Sequence, residues 1–278
     1  MKSPILLSFF FVILGISFSF CQKDKDILVL IETTQGNLKV KLYKETPLHQ
    51  ANFIKLVKEH YYDSIIFHRV INEFMIQAGD PDSKGAGNNK TLGSGGPGYT
   101  IPAEFNPKFI HKKGALAAAR TGDQMNPKKE SSGSQFYIVH GKKYSNDEIK
   151  KMEQRMNDGK NNEHLMEYLN LPENAHLMKK IDSLQQSNNF EALNKLGAEL
   201  MALMAEKHKD DPKFVFTQDQ ITAYTTLGGT PHLDGAYTVF GEVVEGLEVI
   251  DKIAQSKTDK SDRPETDVRI ISMKIVKK

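Results

Sequence analysis

Short β-rich runs bounded by Gly, Pro or Asn fill most of residues 27–140 and return at 237–276. Runs this short and closely spaced must pair around a shared core, and closure into a barrel is the solution that leaves no open edge. Ile27–Thr33 and Leu38–Leu42 flank Thr34-Gln35-Gly36-Asn37 and read as a hairpin with its second strand half buried. Further runs lie at Ile65–Ile71, Met75–Gly79, Gly114–Arg120, Ser134–His140, Tyr237–Val244 and Val268–Val276. Thr46 followed by Pro47 reads as an N-cap with proline in the first turn, opening a helix with Phe53, Leu56 and Val57 on one face. Leu247–Ala254 is a second helical pattern. The expected fold is mainly β, a closed eight-stranded barrel capped by two helices.

The texture changes between Gly141 and Pro212. Ser145-x-x-Glu148 is a capping box, and Leu177, Ile181 and Leu184, then Leu193, Leu196, Leu200 and Leu203, keep helical spacing. The chain therefore divides into a discontinuous barrel domain, 26–141 and 212–278, and an α-helical insertion of two to four helices over 142–211. Met152, Met156, Met166, Met178, Met201 and Met204 in the insertion read as helix-core filler, with a soft client-binding surface as the alternative.

Ahead of the barrel, Met1-Lys2-Ser3-Pro4 is a short basic segment and Ile5 to Phe20 an almost unbroken apolar run, followed by polar Lys23-Asp24-Lys25-Asp26. Residues 1–21 read as a secretory signal peptide cleaved after Cys21, which makes the protein exported and periplasmic. A lipoprotein acylated on Cys21 and a retained signal anchor are the alternatives, and only these bring a membrane into the picture. Lys+Arg 37 against Asp+Glu 35 is too balanced for a phosphate-tracking surface, so no nucleic-acid partner is expected. A single cysteine excludes multi-thiolate metal cages, and none of the nine histidines falls in a His-x-x-x-His pattern. Neither a metal nor another cofactor is expected.

Chemistry concentrates in four segments. FHRVINEFMIQAGD spans 67–80, AAART spans 117–121, GSQF spans 133–136, and LDGAYTVFG spans 233–241. Gly93-Ser94-Gly95-Gly96-Pro97-Gly98 matches a dinucleotide-binding pattern literally, but Tyr99-Thr100-Ile101-Pro102 follows it instead of a helix, so that reading fails. His68 reads as a packed strand residue.

In this order the four segments resemble the cyclophilin family of peptidyl-prolyl isomerases, in its bacterial branch. The resemblance covers 26–141 and 212–278 and implies that Arg69 is the catalytic residue. It implies that Phe74, Met75, Tyr137 and Leu233 line the pocket for the pyrrolidine ring, with Ala119 in the neighbouring wall. Gln77 would hydrogen-bond the substrate backbone, the main chain of Arg120 would pair with the residue before proline, and Gln135 would support the same surface. The implied substrates are proline-containing polypeptides, here exported proteins in need of folding. Three positions depart from the common pattern: Tyr137 stands where many relatives have Phe, His232 in the place of a Trp, and Tyr237 in the place of a His. The Tyr137 hydroxyl then needs water or a partner at the pocket rim. A second reading makes the barrel a proline-peptide-binding chaperone or docking module that works through the helical insertion.

Overall fold

The computed structural model describes residues 26–87 and 90–276; the signal-peptide segment, with Cys21, lies outside the described residues. Eight strands form one antiparallel sheet: β1 (Ile27–Thr33), β2 (Gly36–Leu42), β3 (Arg69–Ile71), β4 (Met75–Ala78), β6 (Ala115–Ala118), β8 (Phe136–Val139), β9 (Val239–Glu245) and β10 (Ile270–Val276), in spatial order β10-β1-β2-β9-β6-β8-β4-β3. All eight expected runs are present. The curled sheet is a half-barrel by its strand ladders, and its two edges meet through shorter contacts. Ser64 N–H donates to Ile270 O at 2.9 Å, Ile270 N–H to Ile65 O at 2.8 Å, and Phe67 N–H to Val268 O at 2.9 Å. A second sheet pairs only β5 (Thr100–Ile101) with β7 (Ser131–Ser132), elements too short to leave a periodic signal.

The barrel interior is one apolar cluster that includes Val29, Ile31, Leu38, Val40, Ile76, Leu116, Phe136 and Ile138. Helix α1 (Pro47–Lys58) adds Phe53, Leu56 and Val57 to it, and α6 (Leu247–Ala254) adds Val249, Ile250 and Ile253. Thr46 does not cap α1 with its side chain; its hydroxyl donates to Tyr43 O at 3.2 Å. The exposed N–H groups of the first turn are instead taken by a distant carboxylate. Glu104 accepts from Leu48 N at 3.0 Å and from His49 N at 2.9 Å, satisfying donors that any helix start leaves open. It also meets His49 Nδ1 at 2.6 Å, while His49 Nε2 pairs with Ser131 Oγ at 2.9 Å.

The insertion holds three helices, α2 (Asn146–Leu169), α3 (Ala175–Gln186) and α4 (Phe190–Lys207). The capping box forms as expected: Glu148 N–H donates to Ser145 Oγ at 3.2 Å and Ser145 N–H to Glu148 Oε2 at 2.8 Å. A further helix, α5 (Gln218–Thr226), follows, opened by a capping box of Thr217 with Gln220. The expected boundary at 211 cuts this helical unit short. Tyr224 and Phe216 pack with Ile149 of α2, and the chain rejoins the barrel only at Gly229. There Gly229 N–H donates to Lys142 O at 3.0 Å, beside the point of exit. Because the ends meet, the excursion can be long without disturbing the strand register. The approach is so close that a Cβ on Gly141 would lie 2.4 Å from Gly229 Cα. Of the insertion methionines, Met204 is fully buried and Met152, Met156 and Met178 pack on apolar clusters, whereas Met166 is exposed.

Candidate active site

Successive side chains of a strand point to opposite faces, so a wall with an apolar interior can carry a second apolar surface outside. That is how the site is built. In β4, Ile76 and Ala78 face the barrel core, while Met75 joins an outer cluster with Ala117, Tyr137, Val139 and Val239. Phe136-Tyr137-Ile138-Val139 of β8 is buried at every position for the same reason, two residues to each side. Strand register then lines up the polar members. Arg69 is opposite Gln77, Gln77 opposite Tyr137, and Tyr137 opposite Ala117, a row running across four adjacent strands.

A cavity of about 310 Å³ opens on this outer surface. Arg69, Phe74, Met75, Gln77, Ala119, Arg120, Tyr137 and Leu233 all line it, together with His68, Leu92, Gly93, Tyr237 and Ser261. Gln135 stands behind this wall and borders the adjoining groove, which the cavity shares at Gln77, Gly93, Ala119 and Arg120.

The two arginines are in different states. The Arg120 side chain is only 4% exposed, donates to Ala236 O and to Asp123 Oδ1, and stacks on the Tyr237 ring at 4.4 Å. Its Nε and Nη1 are already committed, whereas its main-chain N–H and C=O have no partner among the described residues. Arg69 is 44% exposed, and its one close carboxylate oxygen is Asp262 Oδ2, 3.4 Å from Nε. Its two Nη groups have no hydrogen-bond partner among the described residues. An exposed pair of this kind contributes at most about 1 kcal/mol, so the guanidinium is readily available to a ligand.

The glycine-rich stretch is pinned to the wall. Buried Asp80 accepts from Gly93 N at 2.5 Å, Gly95 N at 3.3 Å and Asp82 N at 2.8 Å. Gln135 Nε2 donates to Gly93 O at 2.9 Å and Gly95 O at 2.7 Å, and its Oε1 accepts from Gln77 Nε2 at 3.0 Å. Gly95 is required by this packing, since a Cβ there would meet Asp80 Oδ1 at 2.0 Å. Gln135 thus holds both the loop and the Gln77 amide, leaving Gln77 Oε1 without a partner among the described residues.

The Tyr137 hydroxyl is not at the rim. It is buried, 2.9 Å from His111 Nε2, and His111 Nδ1 lies 2.8 Å from Asp234 Oδ1. The second oxygen of Asp234 accepts from the Tyr224 hydroxyl of α5. Burial pushes the Tyr137 hydroxyl well above the usual phenol range, so it stays protonated. Every group is satisfied if Tyr137 donates to Nε2 and Nδ1–H donates to Asp234. His111 carries no motif in its stretch Phe109-Ile110-His111-Lys112; it matters because the fold brings together residues far apart in sequence. His68, next to Arg69, is buried with neither ring nitrogen hydrogen-bonded among the described residues, and desolvation lowers its pKa to about 4. His232 stacks on Phe74 with ring centroids 5.8 Å apart, filling the place expected of a larger aromatic.

The arrangement joins an apolar slot to a fixed cation and free main-chain groups. The profile of the family described as cyclophilin type peptidyl-prolyl cis-trans isomerase/CLD matches residues 28–156 and 143–275, on both sides of the excursion. A Staphylococcus epidermidis protein provisionally named a peptidyl-prolyl cis-trans isomerase is 29% identical over 254 residues, covering 91% of this chain and 93% of its own length. A Streptococcus pyogenes protein, provisionally named a bifunctional phosphatase/peptidyl-prolyl cis-trans isomerase, is 30% identical over 252 residues, 89% of this chain and 38% of its own. Among solved structures, a Cryptosporidium parvum cyclophilin type peptidyl-prolyl cis-trans isomerase overlays with a TM-score of 0.51 at 20% identity, covering 91% of this chain and 99% of that one. With fold, cavity and relatives in agreement, the chain belongs to the cyclophilin-type peptidyl-prolyl cis-trans isomerases.

Proposed function

We propose that Arg69 accelerates Xaa-Pro rotation in exported polypeptides by stabilising the twisted imide. Amide resonance sets the rotation barrier at about 18–20 kcal/mol by placing the nitrogen lone pair in the carbonyl. Twisting localises that pair on the prolyl nitrogen, which becomes a hydrogen-bond acceptor only near the transition state. The guanidinium, with a rigid fork and a charge it does not lose, can donate there without any proton leaving. The interaction is then stronger in the twisted state than in either planar one, which is the condition for catalysis by differential binding. No nucleophile or general base is called for. Phe74, Met75, Tyr137 and Leu233 hold the pyrrolidine ring, Ala119 closes the slot, and Gln77 with the Arg120 main chain grips the substrate backbone.

The observation that carries this reading is the uncommitted Arg69 guanidinium at the edge of the apolar cavity. The apolar run at residues 5–20 supports exported polypeptides as the substrates. Among the described residues no helix is long and apolar enough to cross a membrane. The test is exchange NMR on an Ala-Pro peptide. The protein should accelerate cis–trans exchange, and Arg69→Ala should slow catalysis more than tenfold, about 1.4 kcal/mol. An inactive wild type, or a smaller loss in the variant, contradicts the proposal.

A further inference from the structure

The helical excursion carries a polar cluster separate from the cavity. His164 belongs to α2, His208 follows the last turn of α4, and Asp211 begins the return segment. Their imidazoles stack with centroids 3.7 Å apart and planes at 27°. Asp211 Oδ2 lies 3.0 Å from His208 Nδ1 and 3.9 Å from His164 Nε2. One donor atom from each residue lies within 4.8 Å of the other two.

Two features set this apart from an ordinary His–Asp hydrogen bond. That bond satisfies His208 but leaves His164 idle: His164 Nδ1 is buried, and neither of its ring nitrogens has a hydrogen-bond partner among the described residues. The nitrogen that faces Asp211 is Nε2, and its lone pair has no hydrogen-bond partner among the described residues. The spacing also suits a metal. Ligands about 2.0–2.1 Å from a tetrahedral ion lie roughly 3.3 Å from one another, between the two measured separations.

The surroundings hold the third ligand in place. Asn157 of α2 accepts from Phe214 N at 2.8 Å and donates to Phe214 O at 3.0 Å, while Glu153 Oε1 accepts from Phe216 N at 2.7 Å. These bonds lay the return segment along α2, and Asp211 N–H donates back to His208 O at 3.1 Å. The three side chains are 17%, 26% and 43% exposed, so an ion has a way in.

We propose that His164, His208 and Asp211 bind one divalent transition-metal ion of the zinc class, water filling the remaining position, and so clasp α2 to the end of α4. Two imidazoles and a carboxylate suit such an ion better than calcium or magnesium, which prefer all-oxygen sites. The sequence pattern hides the site because His164 and the His208-x-x-Asp211 pair lie 44 residues apart.

The test is calorimetric titration of the tag-free full chain with Zn²⁺, followed by histidine ring NMR and by Co²⁺ absorption. One ion should bind per chain, the rings of His164 and His208 should shift, and Co²⁺ should give a four-coordinate spectrum. His164→Gln should weaken Zn²⁺ binding at least ~10-fold. Asp211→Asn, altering the most exposed ligand, should also weaken it and keeps the test open if the histidine variant misfolds. Ala-Pro exchange should be unchanged in both. Absence of one-to-one binding, wild-type affinity in both variants, or shifts confined to other histidines would overturn the proposal.

Discussion

In the barrel, strands bury side chains on both faces, and β6, β4 and β8 are almost wholly enclosed. In the excursion, the 24 residues of α2 bury only Ile149 and Leu169, and the 12 of α3 bury none. Hydrophobic burial is the main favourable contribution to folding, so the barrel carries the molecule's stability and the excursion opens at lower free energy. The two regions meet at few places. The most consequential is Tyr224, which reaches from α5 to Asp234, one residue from Leu233 in the cavity wall.

The largest effect should come from the shared barrel core. Phe136→Ala removes a ring packed against Phe53 and Tyr62 and should cost about 3–5 kcal/mol in urea denaturation. Leu200→Ala, in the excursion, should abolish slow hydrogen exchange in α2 and α4 while barely moving the barrel transition. A common transition for both regions would break the contrast.

Acid should distinguish the regions next. Burial lowers the pKa of four barrel-side histidines, His49, His68, His140 and His232. The unfolded chain protonates them near their ordinary 6.5, the folded chain only lower down, so their stability contribution is complete above that value and shrinks as pH falls. For His68 the window runs from about 6.5 to about 4 and is worth about 3 kcal/mol. His68→Phe should flatten the loss of stability over this range; an unchanged pH profile would contradict the assignment.

Smaller effects should mark the joints. Tyr224→Phe leaves Asp234 with one fewer charge-assisted hydrogen bond, a loss of about 1.5–3 kcal/mol, and should shift Leu233 and Tyr137 resonances while slowing exchange only a few-fold. Glu104→Gln should weaken the start of α1 by about 1 kcal/mol, seen as faster amide exchange at Leu48 and His49.

These predictions also separate what was legible in the sequence from what was not. Strand alternation, proline position and the Ser145 capping box are local signals, and they placed eight strands, two capping helices and the first insertion helix. The cavity lining was readable because Arg69, Phe74, Met75 and Gln77 sit on adjacent strands near one turn, in a segment with a family likeness. Glu104 over α1, His111 behind Tyr137 and Gly229 beside Gly141 were not readable. Each depends on a partner dozens of residues away, and a lone Glu, His or Gly gives no period or spacing to follow.

The differential role of Arg69 is tested most directly by measuring affinity and turnover separately. Exchange NMR of Arg69→Gln with an Ala-Pro peptide yields both. The account predicts a dissociation constant within about threefold of wild type and a bound-state interconversion rate at least tenfold slower, about 1.4 kcal/mol or more in the barrier alone. Equal losses in affinity and catalytic efficiency, with bound-state turnover intact, would make Arg69 a binding residue and contradict it.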